Sequence, residues 1–142
     1  MPFFSLTRLR IRSVRFLPHF FIHTMRSLEQ VKHAPGFQTG ALLADRKWTF
    51  WTMTSWDTQE KMRQYMISGS HKTAMSFLLD WCDEASVAHW DQSEETLPSW
   101  AIADQRMRKS GRPSKVKNPS PQHASLTYRI PRTTIGGPIR KS

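Results

Sequence analysis

The sequence contains a single cysteine, Cys82, in 142 residues. One thiol cannot form a disulfide within the chain, so a disulfide-stapled framework is excluded. Cys82 lies among the apolar residues of a helical pattern, which favours a buried, unreactive thiol over a nucleophile. These features predict a cytoplasmic protein in a reducing compartment.

Long hydrophobic runs are also missing. No stretch approaches the ~20 apolar residues of a membrane-spanning helix, so no membrane span is expected. Four arginines between positions 8 and 15 interrupt the apolar N-terminal residues, which argues against a secretory signal peptide. An Arg-rich, acid-free start also suits an organellar transit peptide, but the alternation in TRLRIRS favours a β-strand with Leu9 and Ile11 facing inward.

Acidic residues are nearly absent from both ends of the chain. Residues 1–18 carry four arginines and no acid, and residues 103–142 carry ten Lys/Arg against one acid. Residues 19–102 carry seven Lys/Arg against ten acids, so the net charge of +10 belongs to the two ends. No zinc-ligand spacing or other nucleic-acid-binding motif accompanies this charge, and we expect no specific nucleic-acid partner.

Apolar periodicity predicts six elements in the order β, α, β, β, interrupted α, β. The first helix begins at Pro18 and ends near His33, and the next helix is capped by Asp57 with Glu60 as its capping-box partner. The later strands are FQTGALLAD, WTFWTMTSW and EASVAHW, and SGS at 68–70 interrupts the second helical region. This order predicts an α+β ferredoxin-like fold, in which a four-stranded antiparallel sheet carries helices on one face.

The strand WTFWTMTSW, residues 48–56, is apolar on both faces. Alternation places Trp48, Phe50 and Trp56 on one face and Trp51 and Met53 on the other. An antiparallel sheet with helices on one side normally leaves its other face to water. We therefore predict a homodimer, a dimeric α/β barrel in which the same sheet face of a second copy covers the first.

Composition divides the chain into three parts. Residues 1–95 form the ferredoxin-like domain, and residues 96–111 form an appended surface helix that Ser99 caps and Gly111 ends. From residue 112 to 142 the apolar pattern fades and prolines recur. This composition predicts an extended or disordered basic tail.

The run KWTFWTMTSWDTQEKMRQYMISGSHKTAM resembles the dimeric α+β barrel superfamily, specifically its antibiotic biosynthesis monooxygenase-like proteins. The resemblance spans Leu6 to Trp90. DWCDEASVAHW and LPSW...GRPSKV...PSPQH further resemble an uncharacterised bacterial group of domain-of-unknown-function proteins near spheroidene monooxygenase-like proteins, which extends it to His123. The resemblance implies a cofactor-independent monooxygenase, a haem-binding or haem-degrading protein, or a protein without activity. The Asn and Trp set of the quinone-forming enzymes is not matched, since the one asparagine is Asn118.

His71 is the candidate catalytic residue. It lies one helical turn before Ala74 and Met75 and shares their stripe with Leu78, so its ring is expected to face the core. There it would transfer a proton or, if haem is bound, ligate the iron. The alternative is a structural ring that caps the helix or bonds a backbone carbonyl.

An apolar ligand pocket is expected beside His71. A pocket would take a small apolar or aromatic ligand, and the alternative is that the same side chains fill the core or an interface. The residues predicted to line it are Trp48, Phe50, Trp51, Met75, Leu78 and Trp81.

Three functions remain open at this level. The first is a monooxygenase acting on a small aromatic or polyketide-like substrate, with no cofactor. The second is a haem-binding protein, and the third is a non-catalytic ligand-binding or structural dimer.

Overall fold

The computed structural model describes residues 1–141, apart from the side chain of Ser70. A short 3-10 turn at Val14–Phe16 precedes the first helix. The helices are α1 Leu17–Lys32, α2 Gln59–Met66, α3 Gly69–Trp81 and α4 Trp100–Ser110. The strands are β1 Phe3–Ile11, β2 Phe37–Asp45, β3 Thr49–Trp56, β4 Cys82–Asp91, β5 Arg112–Pro113 and β6 Gly136–Arg140.

All strands join one antiparallel sheet in the order β5-β4-β1-β3-β2-β6. The four central strands have the predicted ferredoxin-like arrangement, with α1 connecting β1 to β2 and α2 and α3 connecting β3 to β4. The two outermost strands differ from the prediction, because both come from the segment after residue 111. Each adds backbone hydrogen bonds to an edge that would otherwise stay unpaired.

Local capping explains where the helices begin. Thr58 is the N-cap of α2, one residue later than the predicted Asp57, and its hydroxyl accepts from the N–H of Lys61 at 3.2 Å. Ser99 caps α4 as predicted, accepting from the N–H of Ile102 at 3.3 Å. Caps of this type satisfy backbone donors that lack partners in the first helical turn.

The two-sided apolar character of β3 is explained by a core on each side of the sheet. We call the side that carries α1, α2 and α3 the helix face, and the opposite side the outer face. Phe50 and Trp56 contact the helix-face core, whereas Trp51 and Met53 are buried on the outer face. The predicted alternation is therefore observed for these four residues.

The chain itself covers the outer face. Ala103 and Met107 of α4, together with Tyr128, pack on Trp51 and Met53. Trp51 is 1 % exposed, and its ring lies edge-on to Tyr128 with 5.5 Å between centroids. A second copy is therefore not needed to exclude water from this face. The homodimer remains a prediction, but the apolar outer face no longer supports it.

Hydrogen bonds connect Tyr128 to α4. The Tyr128 hydroxyl donates to Asp104 at 2.6 Å, and the Arg108 guanidinium donates to Asp104 and to the Tyr128 carbonyl. The composition of 112–142 predicts an extended or disordered tail, and in the structure two residues of this segment, Tyr128 and Ile139, are buried. Composition hid this because these apolar residues are widely spaced among prolines and basic residues.

The single thiol is buried, as the sequence predicts. Cys82 is fully buried, and burial raises the pKa of its thiol to about 12, so the unreactive neutral form prevails.

Within residues 1–141, no helix has both the length and the apolar character needed to cross a bilayer.

Candidate functional site

A cavity of about 660 Å³ lies between the helix face of the sheet and helices α1 and α3. The core on this side is divided into two clusters, one around Trp56 and Val31 and the other around Phe20 and Trp81. Well-packed interiors rarely leave voids larger than a water molecule. A gap of this size between two packed clusters is therefore a candidate ligand site.

Short hydroxyl side chains form the floor of the cavity. Along β1 the helix face reads Phe3, Ser5, Thr7, Leu9, and along β3 it reads Phe50, Thr52, Thr54, Trp56. Ser5 pairs with Thr54 and Thr7 with Thr52, so four small side chains meet where large ones would close the gap. In TFWTMTSW the two threonines Thr52 and Thr54 fall on the same face as Phe50 and Trp56, and this spacing is the sequence signal for the floor.

The lining is mainly apolar. Among the described residues, no Asp or Glu borders the cavity, and Lys115 is its one permanently charged residue. The floor hydroxyls of Ser5, Thr7 and Thr52 make no hydrogen bond to the described part of the protein, whereas Thr54 accepts from Trp56 at 2.9 Å. Such a lining suits a neutral aromatic ligand with a few polar atoms.

His71 borders this cavity from the first turn of α3. Its Nδ1 lies 3.3 Å from the carbonyl oxygen of Met66. Because a carbonyl only accepts, this contact assigns the proton to Nδ1 and leaves a lone pair on Nε2. No hydrogen bond from the described residues reaches Nε2. Burial lowers the pKa of His71, and the bond to Met66 opposes that shift, so the ring is neutral at pH 7.

Gln30 of α1 holds the turn that carries His71. Its side-chain oxygen accepts from the backbone N–H of His71 at 2.9 Å, and its amide nitrogen donates to the carbonyl of Ser68 at 2.9 Å. Gly69 has a φ of +57°, and a Cβ there would lie 3.0 Å from the Gln30 oxygen. Gly69 and Gln30 together fix the start of α3; Gly69 belongs to the predicted SGS interruption, whereas the role of Gln30 was not identified from the sequence.

Tyr65 lies against the His71 ring with 4.5 Å between centroids. Its hydroxyl donates to the carbonyl of Ser27 at 3.1 Å, and burial raises its pKa well above the usual range. Tyr65 is therefore un-ionised at neutral pH, packs beside the imidazole and cannot act as a base. Its hydrophobic ring limits the positions open to His71.

The predicted pocket residues separate into three groups. Phe50, Leu78 and Trp81 border the cavity, and Met75, 40 % exposed, lies at its mouth. Trp51 borders it through backbone only, because its side chain packs on the outer face against Tyr128. Trp48 is outside the cavity, since it lies in the β2–β3 turn with a φ of +58° and is 48 % exposed.

The segment after residue 111 supplies lining residues that sequence reasoning missed. Lys115 and Val116 border the cavity beyond β4, and Ile135 and Ile139 border it beyond β2. The backbone of Lys117 donates to Leu79 at 2.8 Å, which holds the first of these pieces against α3. The C-terminal segment therefore closes both sides of the cavity.

The lining offers haem one axial ligand and one charged partner among the described residues. His71 offers one nitrogen for an iron, but the two propionates of haem would meet Lys115 as the one charged partner among the described residues. Within residues 1–141, no three His, Cys, Asp or Glu side chains come together as a metal site. The mainly apolar lining with one cation favours a ligand that carries little charge.

Solved structures share this architecture. No protein-family model and no curated protein matches the sequence. SnoaB, a cofactor-independent oxygenase from Streptomyces nogalater, is 15 % identical, with a TM-score of 0.54 over 69 % of this chain and 98 % of its own. A Nitrosomonas europaea protein, with antibiotic biosynthesis monooxygenase as its suggested activity, is 14 % identical, with a TM-score of 0.59 over 68 % of this chain and 94 % of its own.

A third similar structure is Rv0793 from Mycobacterium tuberculosis, which is 8 % identical with a TM-score of 0.61 over 68 % of this chain and all of its own. Identities this low bear on the fold alone. The chain therefore has the α+β fold of the antibiotic biosynthesis monooxygenase-like proteins, with added elements on the outer face and at both sheet edges.

Proposed function

We propose that this protein is a monooxygenase that oxidises a small, neutral aromatic substrate in the helix-face cavity without a cofactor. The observation that carries the proposal is the neutral His71 ring at the edge of a mainly apolar cavity, where no hydrogen bond from the described residues reaches Nε2 and no described carboxylate borders the cavity. The fold shared with a cofactor-independent oxygenase supports the reaction class by analogy.

The cavity residues would have three roles in the reaction. Aromatic and aliphatic walls, including Phe50 and Trp81, exclude water and hold the rings of the substrate. The free hydroxyls of Thr7 and Thr52 orient its polar atoms by hydrogen bonds. His71 Nε2 removes a proton from an acidic C–H or O–H group, which a neutral imidazole does well near pH 7.

The reaction balances with oxygen as the only co-substrate. Deprotonation gives a stabilised anion, which transfers electrons to O₂ and forms a carbon–oxygen bond. The protonated His71 then returns its proton to the peroxide. Loss of water converts the carbon to a ketone, so that R₂CH₂ + O₂ gives R₂C=O + H₂O. Carbon is oxidised, O₂ is reduced, and the substrate itself supplies the electrons.

We expect oxygen uptake and quinone formation with a tricyclic phenol that carries an acidic methylene group, such as 1,8-dihydroxyanthrone. Only the neutral form of His71 can accept a proton, and burial lowers its pKa. We therefore expect kcat/KM to be constant above pH 7 and to fall on acidification, with an ionisation below the usual 6.5. An oxygen electrode and quinone absorbance across pH 5–9, corrected for autoxidation, measure both.

A rate that equals autoxidation for every such compound would overturn the enzymatic proposal. Saturable binding without oxygen uptake would instead identify a non-catalytic ligand-binding protein.

Self-association also belongs to the proposal, because any homodimer must now use a surface other than the covered outer face. Sedimentation at micromolar concentration tests it independently of the chemistry.

A further inference from the structure

A second cavity, of about 260 Å³, lies on the outer face and shares no lining residue with the first. Its floor is the end of the sheet, where Arg8, Arg10 and Glu84 project. The β2–β3 turn and the segment 122–129 form its walls. Its lining consists of Arg8, Arg10, Asp45, Arg46, Lys47, Thr49, Glu84, Gln122, Thr127, Tyr128 and Arg129.

Both carboxylates of this cavity are already occupied. Glu84 accepts from Arg8 at 2.6 Å and from Ser120 at 2.6 Å, and it lies 3.1 Å from Arg10. Asp45 accepts from the backbone of Arg46 and Arg132 and from the indole of Trp51. These acids are therefore committed to structure, and they have little capacity left to neutralise further cations.

The positive charges exceed the negative ones. Five cations and two carboxylates line the cavity, and Asp83 beside it pairs with Arg10 at 2.8 Å, which leaves a net charge of +2. Within residues 1–141, Arg46, Lys47 and Arg129 form no ion pair. Arg8 is 6 % exposed, and its buried Nε has no hydrogen-bond partner. Like charges that converge on a concave site repel each other unless an anion is bound between them.

The backbone conformation of the β2–β3 turn supports a ligand-binding role for this cavity. Lys47 and Trp48 both have positive φ, 57° and 58°. Such turns normally use Asn and Gly, because other side chains are strained in this conformation. The strained turn places Lys47 at the wall of the cavity, and strain of this kind concentrates at ligand sites.

We infer that this outer cavity binds a phosphate-type anion, carried by a small molecule or by a lipid headgroup. Arginine forks match the oxygens of a phosphate, and a lysine adds a point charge. The occupied carboxylates keep Arg8 and Arg10 rigid, while Arg46, Lys47 and Arg129 supply the charge for the ligand. The inference does not depend on the reaction in the helix-face cavity.

Calorimetric titration of the full chain with pyrophosphate at low ionic strength tests the site, with vesicles of phosphatidylcholine with and without phosphatidic acid as the lipid arm. We expect Lys47→Gln to weaken pyrophosphate or vesicle binding about tenfold, which corresponds to about 1.4 kcal/mol. Arg26→Gln removes the same charge from an exposed position on α1 and should leave binding unchanged.

Circular dichroism confirms that each variant is folded. Pyrophosphate binding that Lys47→Gln weakens supports a soluble ligand, and vesicle binding that it weakens without pyrophosphate binding supports a headgroup. No saturable binding in either arm would overturn the site. An equal loss in both variants would also overturn it, because the attraction would then be non-specific.

Discussion

Replacing His71 with Gln is expected to lower kcat by about 10²–10⁴-fold, the usual effect of removing a positioned general base. The Gln amide can still donate to the Met66 carbonyl that His71 contacts, but it cannot take up a proton at neutral pH. Stability should change by less than about 1 kcal/mol, because one neutral hydrogen bond replaces another. Oxygen uptake and thermal melting measure the two effects.

His33→Gln is the matched control, since His33 is exposed at the end of α1 and lies outside the cavity. It should leave kcat unchanged. A His71→Gln protein that melts at a much lower temperature yet turns over normally would assign His71 a structural role. The acid-side fall of kcat/KM should also disappear in His71→Gln, which a purely structural histidine would not explain.

Replacing Tyr128 with Ala is expected to lower the free energy of unfolding by about 3–5 kcal/mol, as for other large aromatic residues removed from a core. Tyr128 fills the outer-face core against Trp51, and the guanidinium carbons of Arg8 and Arg108 each lie 4.1 Å from its ring centroid. Its loss also leaves Asp104 without a 2.6 Å hydrogen bond. Denaturant unfolding measures the change.

Tyr128→Phe separates the two contributions. It keeps the ring and removes the hydroxyl, so we expect a smaller loss of about 1–3 kcal/mol, because buried Asp104 loses one hydrogen bond and keeps those from Arg108. If Tyr128→Ala were as stable as the wild type, residues 112–142 would be a free tail after all. The outer face would then be available to a second copy, as the sequence argument proposed.

Strong periodicity made the central fold predictable. Four strands and the helices between them follow from alternation and helical spacing, and the N-cap of α4 follows from Ser99. The packing of the C-terminal segment did not follow, because Tyr128 on the outer face and Ile139 on the helix face are isolated apolar residues in a basic, proline-rich segment. Their burial depends on contacts distant in sequence, which local patterns do not encode.

The candidate site shows the same limit. Helical spacing directed His71 toward the core, and the structure places it at the cavity. The sequence predicts large aromatic residues as pocket walls, yet Thr52 and Thr54 create the space because their side chains are short. Trp48 was assigned to the strand face, whereas the chain turns there with positive φ and exposes it.

The most direct test of the account fills the cavity without touching His71. In the double variant Thr7→Leu, Thr52→Leu, larger side chains occupy the floor, and no hydrogen bond to the described residues is lost. Binding of the neutral fluorescent probe N-phenyl-1-naphthylamine should weaken at least about tenfold, while the melting temperature stays equal or rises because apolar area is buried. Thr73→Leu, on the exposed side of α3, should bind like the wild type. A folded double variant with unchanged probe affinity would contradict the assignment of the helix-face cavity as the ligand site.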